Sequence, residues 1–79
     1  MEDSFRHQGL RKRLIERLTG KGIRNTKILA AMNKIPRHLF MDNAFVDFAY
    51  QDKAFPIGAG QTISQPYTVA FQTQLLQRN

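Results

Sequence analysis

The sequence contains no cysteine, which excludes disulfides and thiolate metal sites and gives no hint of an oxidising compartment. It lacks any apolar run near the roughly 20 residues that span a bilayer. Its start, Met1-Glu2-Asp3-Ser4-Phe5, has neither the basic segment nor the apolar stretch of a secretory signal. The expectation is a soluble, cytoplasmic chain without a membrane partner. No internal repeat, low-complexity tract or disordered linker interrupts its 79 residues. A chain of this length buries only about 60% of the surface its unfolded form exposes. With no covalent staple, its stability should be marginal.

Acidic residues are also scarce, 6 Asp and Glu against 12 Lys and Arg. Residues 1–38 hold ten cations against Glu2, Asp3 and Glu16, a balance of +7; residues 39–79 hold two against Asp42, Asp47 and Asp52, a balance of −1. Such asymmetry fits either an acidic partner or a solvated basic face. Arg6, Arg13, Arg17 and Arg24 fall near one helical line, and phosphate contacts tolerate any base sequence. Yet the segment has no recognition-helix composition and no nucleic-acid motif. A small basic helical module that binds nucleic acid, or another acidic partner, therefore stands as the alternative function.

What is present is mainly helical. Leu10, Leu14 and Leu18 recur every four residues with Ile15 beside them, predicting an amphipathic helix from about Phe5 to Thr19. Asp3 or Ser4 can cap its start, and Gly20 and Gly22 mark its end. A second helix is expected from Thr26 to Lys34, capped by Asn25 or Thr26. Ile28, Leu29, Met32 and Ile35 should form its buried side, and Pro36 stops it. Pro36 can open a turn through Arg37-His38-Leu39-Phe40, and Asp42 can head a short helix from Asn43 to Ala49. Residues 53–65 change character: Pro56, Gly58 and Gly60 break helices, while Ile57, Thr62 and Ile63 favour one or two short strands. A last helix should run from Pro66 to about Gln77 with Ser64 or Gln65 at its head. Tyr67, Phe71 and Leu75 lie on one of its lines, Val69 and Leu76 on another, so this helix expects neighbours on more than one side.

The run Gly60-Gln61-Thr62-Ile63-Ser64-Gln65-Pro66-Tyr67 resembles the signature of the protein-L-isoaspartate O-methyltransferase family. Ala49-Tyr50-Gln51-Asp52 with Pro56-Ile57-Gly58 resembles the family's preceding segment, and Pro36-Arg37-His38-Leu39-Phe40 its earlier Pro-Arg-x-x-Phe motif. Val69-Ala70 and Leu75-Leu76 match its next helix. The similarity runs from about Arg11 to Leu76 in one register. Gln74 departs from a frequent Glu, which on a helix surface should matter little. The family continues into a glycine-rich strand–loop–helix, and the sequence stops before it. Gly58-Ala59-Gly60 is no substitute, because Ile63 stands where a third glycine is needed.

The resemblance implies a mainly helical segment with a short extended stretch, the N-terminal part of a Rossmann-like α/β methyltransferase. Residues 1–50 would be helical, 53–65 an extended active-site loop and 66–77 a helix. The parent enzyme would transfer a methyl group from S-adenosylmethionine to the α-carboxylate of isoaspartyl residues in damaged protein. The ester formed favours succinimide and, through it, a partial return to aspartate. Ser64 matches the family's active-site serine; Thr62, Ile63, Ser64 and Gln65 match positions bordering the cofactor, and Gly60, Gln61 and Ser64 the substrate. The implied partners are isoaspartyl peptides and proteins and the absent cofactor-binding C-terminal domain. By itself the 79-residue chain should neither hold S-adenosylmethionine well nor turn over. A domain that has lost catalysis and serves interaction alone is a third possibility.

Of the remaining residues, His7 and His38 have no second ligand at metal spacing and read as surface or structural histidines. Asp42, Asp47 and Asp52 read as caps and surface charges. Met32, Phe40, Phe45, Phe48, Phe55 and Tyr67 read as core. No metal site is expected.

Overall fold

Leu14 and Leu18 bury one stripe of helix α1, Phe5–Gly20, whose start is capped by the Ser4 hydroxyl accepting the His7 backbone N–H at 3.2 Å. The computed structural model describes residues 3–41, 43–58 and 60–76. Among the two glycines expected to end α1, Gly20 stays helical and Gly22 makes the turn at φ 103°. The Ile23 N–H then reaches Leu18 O and the Gly22 N–H reaches Thr19 O, both at 3.1 Å. This is the paired closure of a Schellman end, with Leu18 and Ile23 as its buried apolar contact.

Helix α2 spans Thr26–Lys34, with the Asn25 side chain accepting the Lys27 and Ile28 N–H groups. It packs against both α1 and the last helix, α3, Pro66–Leu76. Ile28 is buried, and Leu29 and Met32 are half-buried, but Ile35 is 51% exposed. The expected buried side ends one turn early, because Ile35 leaves the helix in extended backbone at φ −87°, ψ 112° ahead of Pro36.

Two 3-10 helices follow, Arg37–Phe40 and Asn43–Phe48. The aromatic expectations fail in part here. Phe45 packs on the core, whereas Phe40 and Phe48 are exposed. The expected cap Asp42 lies outside the described residues, as do Ala59 and Gln77.

Strands β1, Phe55–Gly58, and β2, Gln61–Ile63, form an antiparallel hairpin. Phe55 faces Ile63, Pro56 faces Thr62 and Gly58 faces Gln61, with the register slipping between Pro56 and Gly58. Alternation sends Phe55 and Ile63 inward and leaves Thr62 exposed. Helix α3 spans Pro66–Leu76 and buries Pro66 and Ala70.

The core joins Leu14, Leu18, Ile23, Ile28, Met41, Ala49, Tyr50, Phe55 and Ala70. The Cα trace measures 39 × 30 × 16 Å. Among the described residues no helix is long and apolar enough to cross a membrane.

Candidate active site

Residues 60–65 are carried by the hairpin and its exit into α3. Gly60 occupies the turn at φ 71°, a left-handed conformation that suits glycine. Gln61 and Thr62 are exposed on β2, and Ile63 turns inward onto the core. Ser64 is exposed between β2 and α3. Gln65 holds the cap position: its carbonyl accepts the Val69 N–H at 3.2 Å, and its side-chain oxygen accepts the Thr68 hydroxyl at 3.3 Å. The six positions therefore form one continuous rim.

Asp52 anchors that rim from below. It is not a surface charge, since its side chain is only 6% exposed. One carboxylate oxygen accepts the Tyr67 N–H at 2.8 Å, and the other pairs with the Lys21 ammonium. Burial pushes the Asp52 carboxyl up, but Lys21, the Tyr67 N–H and Gln65 together hold it below the ordinary carboxylate range. A carboxylate at the start of a helix answers the positive end of its dipole. The α3 terminus thus already has its anion, supplied from within the chain, and Ser64 is relieved of the capping role.

A cavity of about 160 Å3 opens beside Ser64, walled by Met32, Ile35, Ile63, Pro66 and Val69 together with Arg37. From the sequence Arg37 entered only as part of the Pro36-Arg37-His38-Leu39-Phe40 motif, with no site role assigned to it. The side chain is buried, 8% exposed, and donates to Lys53 O at 3.3 Å. Its Nε is buried without a hydrogen-bond partner. Burial lowers the Arg37 pKa, against the favourable fields of Tyr50 and Asp52.

Arg11 makes the contrast. It is equally buried, 6% exposed, yet its guanidinium bonds both Asp3 oxygens at 3.0 and 2.8 Å, Tyr50 Oη at 3.1 Å and Asn33 O at 2.6 Å. The Tyr50 hydroxyl continues to His38 Nδ1 at 2.7 Å, and His38 stacks on His7 with ring centroids 3.8 Å apart. His38 is wholly buried, so its role is structural. This network was missed because Arg11 was read as one more basic residue. Its place on the Leu14–Leu18 stripe, at helical spacing with His7, is the sequence signal. Among the described residues no cluster of His, Asp or Glu could hold a metal ion.

Gln74, whose exchange for a frequent Glu was expected to matter little, makes a specific contact. Its side-chain oxygen accepts the backbone N–H groups of Arg24 and Asn25 at 3.0 and 3.1 Å. A glutamate would present the same acceptor, so the exchange preserves the contact.

Comparison with known proteins matches residues 9–79 to the family model of protein-L-isoaspartate(D-aspartate) O-methyltransferases. Curated proteins named protein-L-isoaspartate O-methyltransferase from Flavobacterium johnsoniae and Flavobacterium psychrophilum are each 66% identical over 77 residues, 98% of this chain and 36% of theirs. The protein of that name from Cytophaga hutchinsonii is 64% identical over 76 residues, 96% of this chain and 34% of its own length. The chain spans about a third of the length of the curated relatives it matches.

Proposed function

Because the chain belongs to the protein-L-isoaspartate(D-aspartate) O-methyltransferase family, we propose that it is the N-terminal portion of a repair methyltransferase acting on isoaspartyl residues in damaged proteins. Methyl transfer from S-adenosylmethionine to the α-carboxylate is the reaction. Gly60, Gln61 and Ser64 border the substrate, and Thr62, Ile63, Ser64 and Gln65 border the co-substrate. The observation that carries this reading is the run from Gly60 to Gln65, exposed at Gly60, Gln61, Thr62 and Ser64, held by Asp52 and ending on a cavity that Ser64 lines.

The chemistry asks little of the side chains. A carboxylate is already ionised at neutral pH, so no base has to remove a proton. S-adenosylmethionine, when bound, supplies an electrophilic methyl group. The chain's own task is to hold the carboxylate in line and at near-attack distance, which lowers the barrier by fixing geometry. An exposed Ser64 hydroxyl on a braced rim suits that task as a hydrogen-bond donor.

The co-substrate fits these residues along one edge only. Residues 60–65 offer hydroxyls and backbone groups but no carboxylate for the ribose hydroxyls. The cavity of about 160 Å3 is well below the roughly 300 Å3 at which small-molecule sites begin. This chain alone is therefore expected to bind S-adenosylmethionine weakly and to turn over little. Downstream chain of the relatives' length would complete the site and cover α3.

The family match weighs against the nucleic-acid alternative, although Arg13, Arg17 and Arg24 of the basic line are exposed and Arg6 pairs with Asp47 at 3.7 Å. The test is transfer of labelled methyl from S-adenosylmethionine to an isoaspartyl peptide. It compares this chain, a chain continued to the relatives' length, and Ser64→Ala in the longer form. Activity confined to the longer chain, lowered about 100-fold or more by Ser64→Ala, supports the reading. An inactive longer chain sinks it.

A further inference from the structure

We propose that Arg37 is the carboxylate-binding residue of the cavity beside Ser64, and that it receives the free α-carboxylate of the isoaspartyl residue. This rests on the methyltransferase reading above and assigns the substrate's charged group to a cation on a different element from Ser64.

Burying a cation is costly unless it is paired and its N–H groups are bonded. The fold satisfies the equally buried Arg11 on every side, with a carboxylate, a hydroxyl and a carbonyl. Arg37 receives one carbonyl, and its Nε–H is buried without an acceptor. Among the described residues no carboxylate lies within ion-pair distance of it. A ligand in the cavity meets the outer guanidinium N–H groups of Arg37, and an anion with two oxygens suits them, because a planar guanidinium matches a carboxylate fork to fork.

Position selects the ligand. Arg37 and Ser64 line one cavity, with Met32, Ile35 and Val69 as an apolar wall that would strengthen an ion pair by excluding water. The competing anion site, the start of α3, is filled by Asp52. A volume of about 160 Å3 admits a residue-sized group and not a nucleoside. The carboxylate of S-adenosylmethionine offers the same chemistry from a larger molecule, and the test separates the two. Methylation converts the bound carboxylate to a neutral ester, so the pair with Arg37 is lost on turnover and product release is favoured.

The test has a stability arm and a kinetic arm. In this chain, Arg37→Met removes an incompletely bonded buried cation and keeps its apolar stem. Thermal unfolding should be unchanged or shifted upward, whereas a Tm several degrees lower would make Arg37 structural and overturn the proposal. In the chain of the relatives' length, Arg37→Met should raise the KM for an isoaspartyl peptide at least about tenfold, leaving that for S-adenosylmethionine within about twofold. Arg37→Lys, which keeps the charge and loses the fork, should fall between. A peptide KM unchanged in both variants overturns the assignment, and a rise confined to the KM for S-adenosylmethionine transfers it to that carboxylate. If the unsubstituted longer chain fails to methylate the peptide, the methyltransferase reading itself has failed and this inference goes with it.

Discussion

His7 and His38 lie ring on ring, 12° from parallel, at the edge of the Arg11–Tyr50 network. Burial lowers the His7 pKa, and the charges of His38 and Arg6 push the same way against Asp3 and Asp47. Its Nε2 is buried without a partner, so the neutral ring suits the site and a proton there would be stranded. The unfolded imidazole takes up its proton near pH 6.5, and the folded one resists to lower pH. Between those values the unfolded state binds more protons, so stability rises with pH. It is complete above about pH 6.5 and is lost as pH falls through the folded value. Asp3, held down by its Arg11 hydrogen bonds, and Asp52 are depressed carboxyls that extend the loss below the ordinary carboxylate range. Thermal unfolding followed from pH 8 to pH 5 should show a Tm that declines with acidity, and His7→Gln should flatten that decline. An unchanged slope in the variant would mean that the ring is protonated in the fold after all.

At the scale of elements, the joint between α2 and α3 depends on Gln74. Two N–H groups ahead of α2 have its single side-chain oxygen as acceptor. Gln74→Ala leaves both without it, at a cost of about 1 kcal/mol, while Gln74→Glu keeps the acceptor and should unfold at or above the parent denaturant concentration. Chemical denaturation of the pair decides the matter; equal midpoints for the Ala and Glu variants would show that water replaces the contact freely. The same joint marks where sequence reading runs out. Helix bounds were legible because Asn25, Gly22 and Pro36 act through neighbours two to four residues away. So was the rim from Gly60 to Gln65, whose turn and strand residues act locally. Contacts over longer separations were not legible. Asp52 reaches Tyr67 across 15 residues, Arg11 reaches Tyr50 across 39, and Arg24 reaches Gln74 across 50. Each looks like an ordinary charge or amide until the fold brings its partner near. Arg37 belongs with them: its motif marked the segment, but only the fold shows that its side chain is buried.

For the whole molecule, the decisive quantity is apolar surface left uncovered. Val69, Phe71 and Leu75 on α3 are each more than two-fifths exposed, and Leu76 is 84% exposed. A groove of about 240 Å3 that Val69 shares with Ile28, Ala31 and Met32 runs between α2 and α3. Apolar surface left exposed on a small chain drives association. In the proposed enzyme, downstream chain packs on this face. As 79 residues, the protein should self-associate with concentration, seen in sedimentation velocity as a rising mean coefficient across a tenfold dilution series. Phe71→Ser with Leu75→Ser changes exposed positions and spares the buried Ala70, so the fold should survive while association falls. A double variant that associates as strongly as the parent would move the sticky surface elsewhere, to the exposed Phe40 or Phe48. If instead the parent is monomeric at every concentration, those residues are better hydrated than their exposure implies, and the case that α3 awaits a covering layer weakens with it.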